Sequence, residues 1–246
     1  MIVLLAPGDV AADHLVELDA EETHHLRVRR AETGMELELR DGAGLVGHGR
    51  LRWAAKKALV EVVDCFHRPR PARLTLAVGA GDRERFAWLA EKAGEVGITD
   101  LQPTITALTS GVATRVRAEQ VEKLRRRARE AIKQSGAAWA PEVHDAVSLV
   151  QLPPAPATPD ERRWLADPRG DLAPSRLGDE PVTIIVGPEG GLTAQERTVL
   201  LEAGYQPLRL GPHVLRFETA AVVAAAAVGL ARERGARRGT KGGTRG

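Results

Sequence analysis

Apolar and polar positions alternate with a period of two over Met35–Arg40 (MELELR), which predicts a strand with its leucines on one face. Asp41-Gly42-Ala43-Gly44 follows as a hairpin-type turn, Leu45–Trp53 resumes extended character, and Leu59–Val63 (LVEVV) reads as a further strand. Only Ala20–Val28 has helical spacing in this stretch. Residues 1–70 therefore read as a small β-rich domain. Arg68-Pro69-Arg70-Pro71 closes it, because a residue before proline is pushed toward extended backbone.

From residue 71 the pattern changes to strands alternating with helices. Leu74–Val78 (LTLAV) is strand-like, and Glu84–Val96 carries Phe86, Leu89, Ala90 and Ala93 on one helical side. Asp100–Pro103 is a short strand. Glu119–Gln134 is read as one helix, with Val121, Leu124, Ala128, Ala131 and Ile132 inward. A proline-rich loop is expected over 153–159. Val182–Val186 (VTIIV) is continuously apolar, as expected of a parallel strand covered on both faces. Thr193-Ala194-Gln195-Glu196 is a capping-box pattern opening a helix that ends near Ala203-Gly204. Gln206–Leu210 is a further strand and Glu218–Arg232 a closing helix. This alternation predicts an α/β fold with a largely parallel sheet.

Composition narrows the classes. Hydrophobic residues are 43% and charged residues 28% of 246, which is globular rather than disordered usage. The single cysteine, Cys65, excludes a disulfide framework and suits a reducing, cytoplasmic setting. Met1–Leu5 has no basic flank and is too short for a signal peptide, and Ala220–Leu230 is too short for a membrane span. No membrane partner is expected.

The net charge of +2 hides an uneven distribution. Six of the 35 basic residues but one of the 33 acids fall in 232–246, so the body is formally −3 and the end reads as a basic, glycine-rich flexible tail. It either touches phosphates or merely solubilises. Between Arg115 and Lys133, eight basic residues face three acids. Arg125, Arg126 and Arg129 in that run are candidate contacts to a polyanion, against the blander reading of a solvated face with helical ion pairs. Aromatics at 3% argue against a base-stacking platform.

The strongest local signal is Gly187-Pro188-Glu189-Gly190-Gly191, straight after the apolar strand and before the capped helix. Ligands of open α/β sheets bind beyond the carboxyl ends of the strands, and glycines there let backbone approach a ligand closely. A tight turn alone needs fewer glycines. No Gly-Lys-Ser/Thr follows, so this is no phosphate-binding P-loop. Leu210–Ala220 occupies the equivalent place after the following strand, and the two glycine-proline turns are expected side by side around one cleft. Arg216 stands at a helix start, where the dipole disfavours a cation; an electron-rich ligand, or an ion pair with Glu218, accounts for it. Gly79-Ala80-Gly81 invites a dinucleotide reading, but Glu84 stands where the fingerprint needs a small residue. His24-His25 are adjacent and point about 100° apart on a helix, and no His-Glu-x-x-His pattern is present, so no metal is expected.

Taken in order, these motifs resemble the ribosomal RNA small subunit methyltransferase E family, within the SPOUT superfamily. His24-His25-Leu26-Arg27-Val28 with Arg30 is similar to its His-Leu-Arg-Val segment, and Lys92-Ala93 with Glu95-Val96-Gly97 to its Lys-Ala-x-Glu-Leu-Gly helix. Gln134-Ser135-Gly136, Pro141-Glu142-Val143, Gly187–Leu192 and the Leu-Arg-x-Glu-Thr-Ala core of the 210–220 loop complete the set. The resemblance implies a PUA-like RNA-binding domain at 1–70, with His24, Arg27 and Arg30 as contacts. It implies a SPOUT domain with a trefoil knot at 71–231, S-adenosyl-L-methionine as cofactor, and a homodimer acting on 16S rRNA or the small ribosomal subunit. The implied cofactor residues are Leu165, Ala166 and Asp167, at the end of an expected strand; Gly187, Pro188, Glu189, Gly190 and Gly191; and Leu210, Gly211, Val214, Leu215, Arg216 and Thr219. The implied reaction is methylation of uridine N3, with Arg216 and Glu218 as catalytic residues. The chain departs from the pattern at Ala137, His213 and Phe217. Another rRNA or tRNA target, or a non-catalytic RNA-binding assembly factor, remains an alternative.

Overall fold

The computed structural model describes residues 1–6, 8, 10–109, 111, 113–152, 156 and 158–239. In chain order the elements are β1 (Ile2–Leu4), β2 (Leu15–Glu17), α1 (Ala20–Val28), β3 (Glu36–Arg40), β4 (Leu45–Ala54), β5 (Lys57–His67), β6 (Leu74–Gly79), α2 (Arg83–Ala93) and β7 (Asp100–Ile105). Then come α3 (Ala118–Glu130), α4 (Ile132–Ser135), β8 (Glu142–Val143), β9 (Val147–Ser148), β10 (Arg162–Leu172), β11 (Val182–Val186), α5 (Ala194–Glu202), β12 (Gln206–Arg209) and α6 (Phe217–Gly239). They divide into two compact units: Met1–Pro71 with Arg129–Ala140, and Ala72–Ala128 with the chain from Pro141 onward.

The first unit holds a five-stranded sheet in the order β1-β3-β4-β5-β2, antiparallel except for the β1–β3 pair. The alternation of β3 puts Leu37 and Leu39 into a core with Leu26, Leu45, Leu51, Val60 and Val62. Asp19 caps α1 by accepting from the Glu22 amide at 2.8 Å, which satisfies one of the free N–H groups of the first turn.

The second unit is a parallel sheet in the order β12-β10-β11-β6-β7-β8, with β9 also on β7. Successive residues of its central strands enter opposite faces. Leu76, Val78, Ile184 and Val186 join Phe86 and Leu89 of α2, Leu124 of α3 and Ala221 and Ala224 of α6. Ala77, Leu165 and Ile185 meet Leu200 and Tyr205 on the other face. Covering both faces is why four of the five VTIIV positions are aliphatic, the fifth, Thr183, donating its hydroxyl to Glu161 at 2.6 Å.

Four expectations need correction. The helix expected over 119–134 is two, α3 and α4. The break falls where the chain passes from one unit to the other, so Val121, Leu124 and Ala128 fill one core while Ile132 is buried beside Gly42. The two glycine-proline loops do not follow neighbouring strands, because β10 lies between β11 and β12. β10 does not end at Asp167 as expected but runs for 11 residues across Pro168 and Gly170 to Leu172. Finally, the chain is helical past Arg232 as far as Gly239. Arg232 anchors that stretch by donating to the carbonyls of Ala72, Arg73 and Glu180 at 2.9–3.0 Å, and Gly235 leaves the space that the Leu177 carbonyl occupies. Residues 240–246, with Lys241 and Arg245, and Pro153, Pro154, Ala155 and Ala157 of the expected proline-rich loop lie outside the described residues.

Candidate active site

Strands β11 and β12 end, and the parallel strand β10 between them bulges, at one cleft of about 810 Å³ in the second unit. β10 contributes Leu165, Ala166 and Asp167; the loop after β11 contributes Gly187, Pro188, Glu189 and Gly191; the loop after β12 contributes Leu210, Gly211, Val214, Leu215 and Arg216. Of the residues expected at the cofactor, Gly190 and Thr219 do not line it: Gly190 faces Leu108 instead. Sequence reasoning missed Arg85, Pro168, Arg169, Leu192, Arg197 and His213, which do. Arg85 and Arg197 sit on helices in polar first turns, and nothing local distinguishes them from surface cations.

The β11 loop is held from two sides. Gly79 and Gly81 exist for its sake: a Cβ on Gly79 would lie 2.5 Å from the Pro188 ring and nitrogen, and one on Gly81 would strike the Glu189 carboxylate. Glu189 in turn accepts from the Asp82 amide at 3.2 Å, placing its negative charge at the α2 N-terminus, where the helix dipole favours it. Downstream, the capping box closes with Thr193 accepting from Glu196 N and Glu196 accepting from Thr193 N. Glu196 also accepts from Ala107 N at 2.7 Å. Gly191 has φ +74°, a left-handed conformation that glycine adopts without strain. A Cβ on Gly191 or Gly211 would meet nothing within 4 Å, so the space beside both is open cleft.

The proposed catalytic pair separates. Arg216 is exposed and lines the cleft. Glu218 is buried, does not line it, and pairs with Arg85 at 3.4 Å rather than with Arg216. Its Oε2 is buried with no partner among the described residues. Phe217 packs into the core against Phe86, ring centroids 6.2 Å apart, which fixes the start of α6 beside the cleft.

Asp167 is equally occupied. Oδ1 accepts from Arg169 N at 2.9 Å and Nε at 3.1 Å, and Oδ2 from Arg169 Nη2 at 3.2 Å and Arg197 Nε at 2.7 Å. Burial alone pushes this carboxyl up, but the hydrogen bonds from Arg169 and Arg197 outweigh it and hold it well below the usual carboxylate range. Its acceptor capacity is full.

The expected RNA contacts fall into two groups. His24, Arg27, Arg30 and Arg126 are exposed; Arg27 also lies 5.4 Å from the Trp53 ring and donates to the Lys56 carbonyl. Arg125 donates to the Val143 carbonyl at 2.8 Å and pairs with Asp145 at 2.9 Å, and Arg129 donates to the Leu5 carbonyl. Both therefore have structural work. Glu22, His25 and Glu130 cluster as a metal site would, but Lys133 stands among them and pairs with both carboxylates.

An RNA methyltransferase domain model matches residues 68–229. The ribosomal RNA small subunit methyltransferase E of Synechocystis is 29% identical over 236 residues, covering 92% of this chain and 76% of its own; that of Aquifex aeolicus is 27% identical, covering 85% and 91%. The solved methyltransferase E of Neisseria gonorrhoeae, bound to S-adenosyl methionine, superposes with a TM-score of 0.77 at 28% identity, covering 92% of this chain and 95% of that one. A structure described as a probable rRNA-methyltransferase, from Porphyromonas gingivalis, reaches 0.72 at 30% identity, covering 87% and 91%. With the family model spanning most of the chain and the folds agreeing throughout, this chain belongs to the ribosomal RNA small subunit methyltransferase E family of RNA methyltransferases.

Proposed function

We propose that this chain transfers the methyl group of S-adenosyl-L-methionine to N3 of a uridine in 16S rRNA. The observation that carries this reading is the cleft itself: an exposed cation, Arg216, lines it beside space that glycine positions leave open where β11 and β12 end and β10 bulges. That space fits a nucleoside cofactor approached by backbone at Gly191 and Gly211. When bound, S-adenosylmethionine supplies an electrophilic methyl on a sulfonium sulfur. Methylation of uridine would pass the N3 proton to solvent water, form the N–C bond as the S–C bond breaks, and leave the S–C electron pair on sulfur as a neutral thioether. Negative charge passes over the uracil oxygens on the way. Arg216 would stabilise that charge and favour the deprotonated ring, a preorganised electrostatic effect that costs little reorganisation. Glu218 contributes from behind by holding Arg85. A trefoil knot of the SPOUT fold would build the cofactor site from loops 187–191 and 210–219.

The first unit would serve as the PUA-like RNA-binding part, through exposed His24, Arg27 and Arg30, and Arg126 would add a phosphate contact. We further propose a homodimer acting in the cytoplasm on 16S rRNA or the small subunit. No described helix is long and apolar enough to cross a membrane. The test is transfer of radiolabelled methyl groups to unmethylated small subunits, naked 16S rRNA and tRNA, with the modified base mapped. N3-methyluridine in 16S rRNA is expected. Absence of label from every 16S uridine overturns the proposal.

A further inference from the structure

Strand β10 carries an irregularity that aims two arginines at the cleft. Ala166 and Asp171 both stand opposite Leu208 of β12, so the four residues Asp167–Gly170 are extra and loop out of the ladder. Bulges of this kind re-aim side chains beside functional sites. The loop is braced rather than slack. Gly170 leaves the space that the Pro207 backbone occupies, and Asp167, 7% exposed, fastens Arg169 from its own loop and Arg197 from α5. Both arginines line the cleft.

The charge at this corner does not balance. Two guanidiniums share one carboxylate, and Asp167 has no acceptor position left for a third donor. Arg169 Nη1 and both Nη atoms of Arg197 have no partner among the described residues, with the Arg197 side chain 31% exposed and that of Arg169 72% exposed. Guanidinium edges held in fixed positions match the geometry of an oxyanion.

We propose that Arg169 and Arg197, positioned by Asp167, form an anion-binding corner of the cleft that takes a single carboxylate or phosphate group. Asp167 is then a positioning residue that touches no ligand. Two sources offer such a group: the amino-acid carboxylate at the end of the cofactor, and an RNA phosphate next to the target base. The cofactor source rests on the function proposed above; the phosphate source rests only on RNA as substrate.

Calorimetry with three probes separates these. S-adenosylhomocysteine carries the carboxylate, 5′-methylthioadenosine is the same nucleoside thioether without the amino-acid arm, and 16S rRNA carries phosphates only. In Arg197→Gln and in Arg169→Gln, a carboxylate corner weakens S-adenosylhomocysteine roughly tenfold or more and leaves methylthioadenosine unchanged. Lysine at position 197 restores part of the loss. A phosphate corner leaves both nucleosides unchanged and weakens rRNA, with a shallower salt dependence. Equal loss for the two nucleosides means the bulge only shapes the cleft, and no change with any probe means the arginines bind nothing; either overturns the proposal. Should the wild-type chain bind neither nucleoside, the cofactor reading itself fails, and the rRNA measurement alone decides whether the corner exists.

Discussion

At single residues, the cleft shows how one side chain's neighbours decide its role. Arg216 and Glu218 are two positions apart, yet one reaches the cleft and the other is buried against Arg85. Arg216→Ala is expected to lower kcat roughly 10²- to 10³-fold while S-adenosylhomocysteine affinity changes little; unchanged turnover with unchanged affinity removes the electrostatic role. Gly79→Ala is a different kind of test. Its Cβ would meet the ring and backbone nitrogen of Pro188 at 2.5 Å, neither of which can swing away. Overpacking of this sort costs about 1–3 kcal/mol, read as a lower urea midpoint. Gly81→Ala should cost less, because the obstacle there is the end of the flexible Glu189 side chain. The glycine pair was visible in the sequence, but its reason was not. Pro188 lies more than a hundred residues further on, and only folding brings it there.

Elements were legible where one local rule sufficed. Val182–Val186 and Ala20–Val28 have the ends the pattern predicts, and the Thr193–Glu196 box caps α5 as its spacing requires. β10 was legible only as far as Asp167, because the proline and glycine that follow look like a turn until a neighbouring strand supplies the register on both sides of the bulge. The two-residue β8 was hidden because two residues are too few for an alternation to show. His144, just beyond β8, donates its amide to the Leu101 carbonyl at 3.0 Å and sets Nε2 3.0 Å from Asp100 of β7. The hydrogen bond to Asp100 raises the His144 pKa, burial lowers it, the charges of Asp100 and Glu142 raise it further and Arg125 of α3 opposes them. A raised folded-state pKa adds stability that is complete below the unfolded value of about 6.5 and is lost as pH climbs through the folded value. Urea unfolding of the wild-type chain against His144→Gln should therefore show its largest difference near pH 6 and a smaller one near pH 8. A difference that grows with pH would falsify this account.

For the whole molecule, charge bears on RNA binding, and counting it along the chain misleads in both directions. The total of +2 hides the excess of basic residues on α3 and its continuation. The structure then reduces that excess: Arg125 is bound to Val143 and Asp145, Arg129 to Leu5, and Lys133 to Glu22 and Glu130. Lys123, Arg126 and Arg127 remain exposed. Two arginines three positions apart should thus respond differently to the same substitution. Arg126→Gln, if α3 meets the RNA backbone, weakens rRNA binding and lowers the slope of log K against log salt by about 1, with stability unchanged. Arg129→Gln instead loses roughly 1 kcal/mol of unfolding free energy, because the Leu5 carbonyl loses its donor. Filter binding over a salt series and urea titration of both variants separate the two effects. If Arg126→Gln binds rRNA with the wild-type salt slope, α3 is a solvated face and the RNA contacts lie elsewhere.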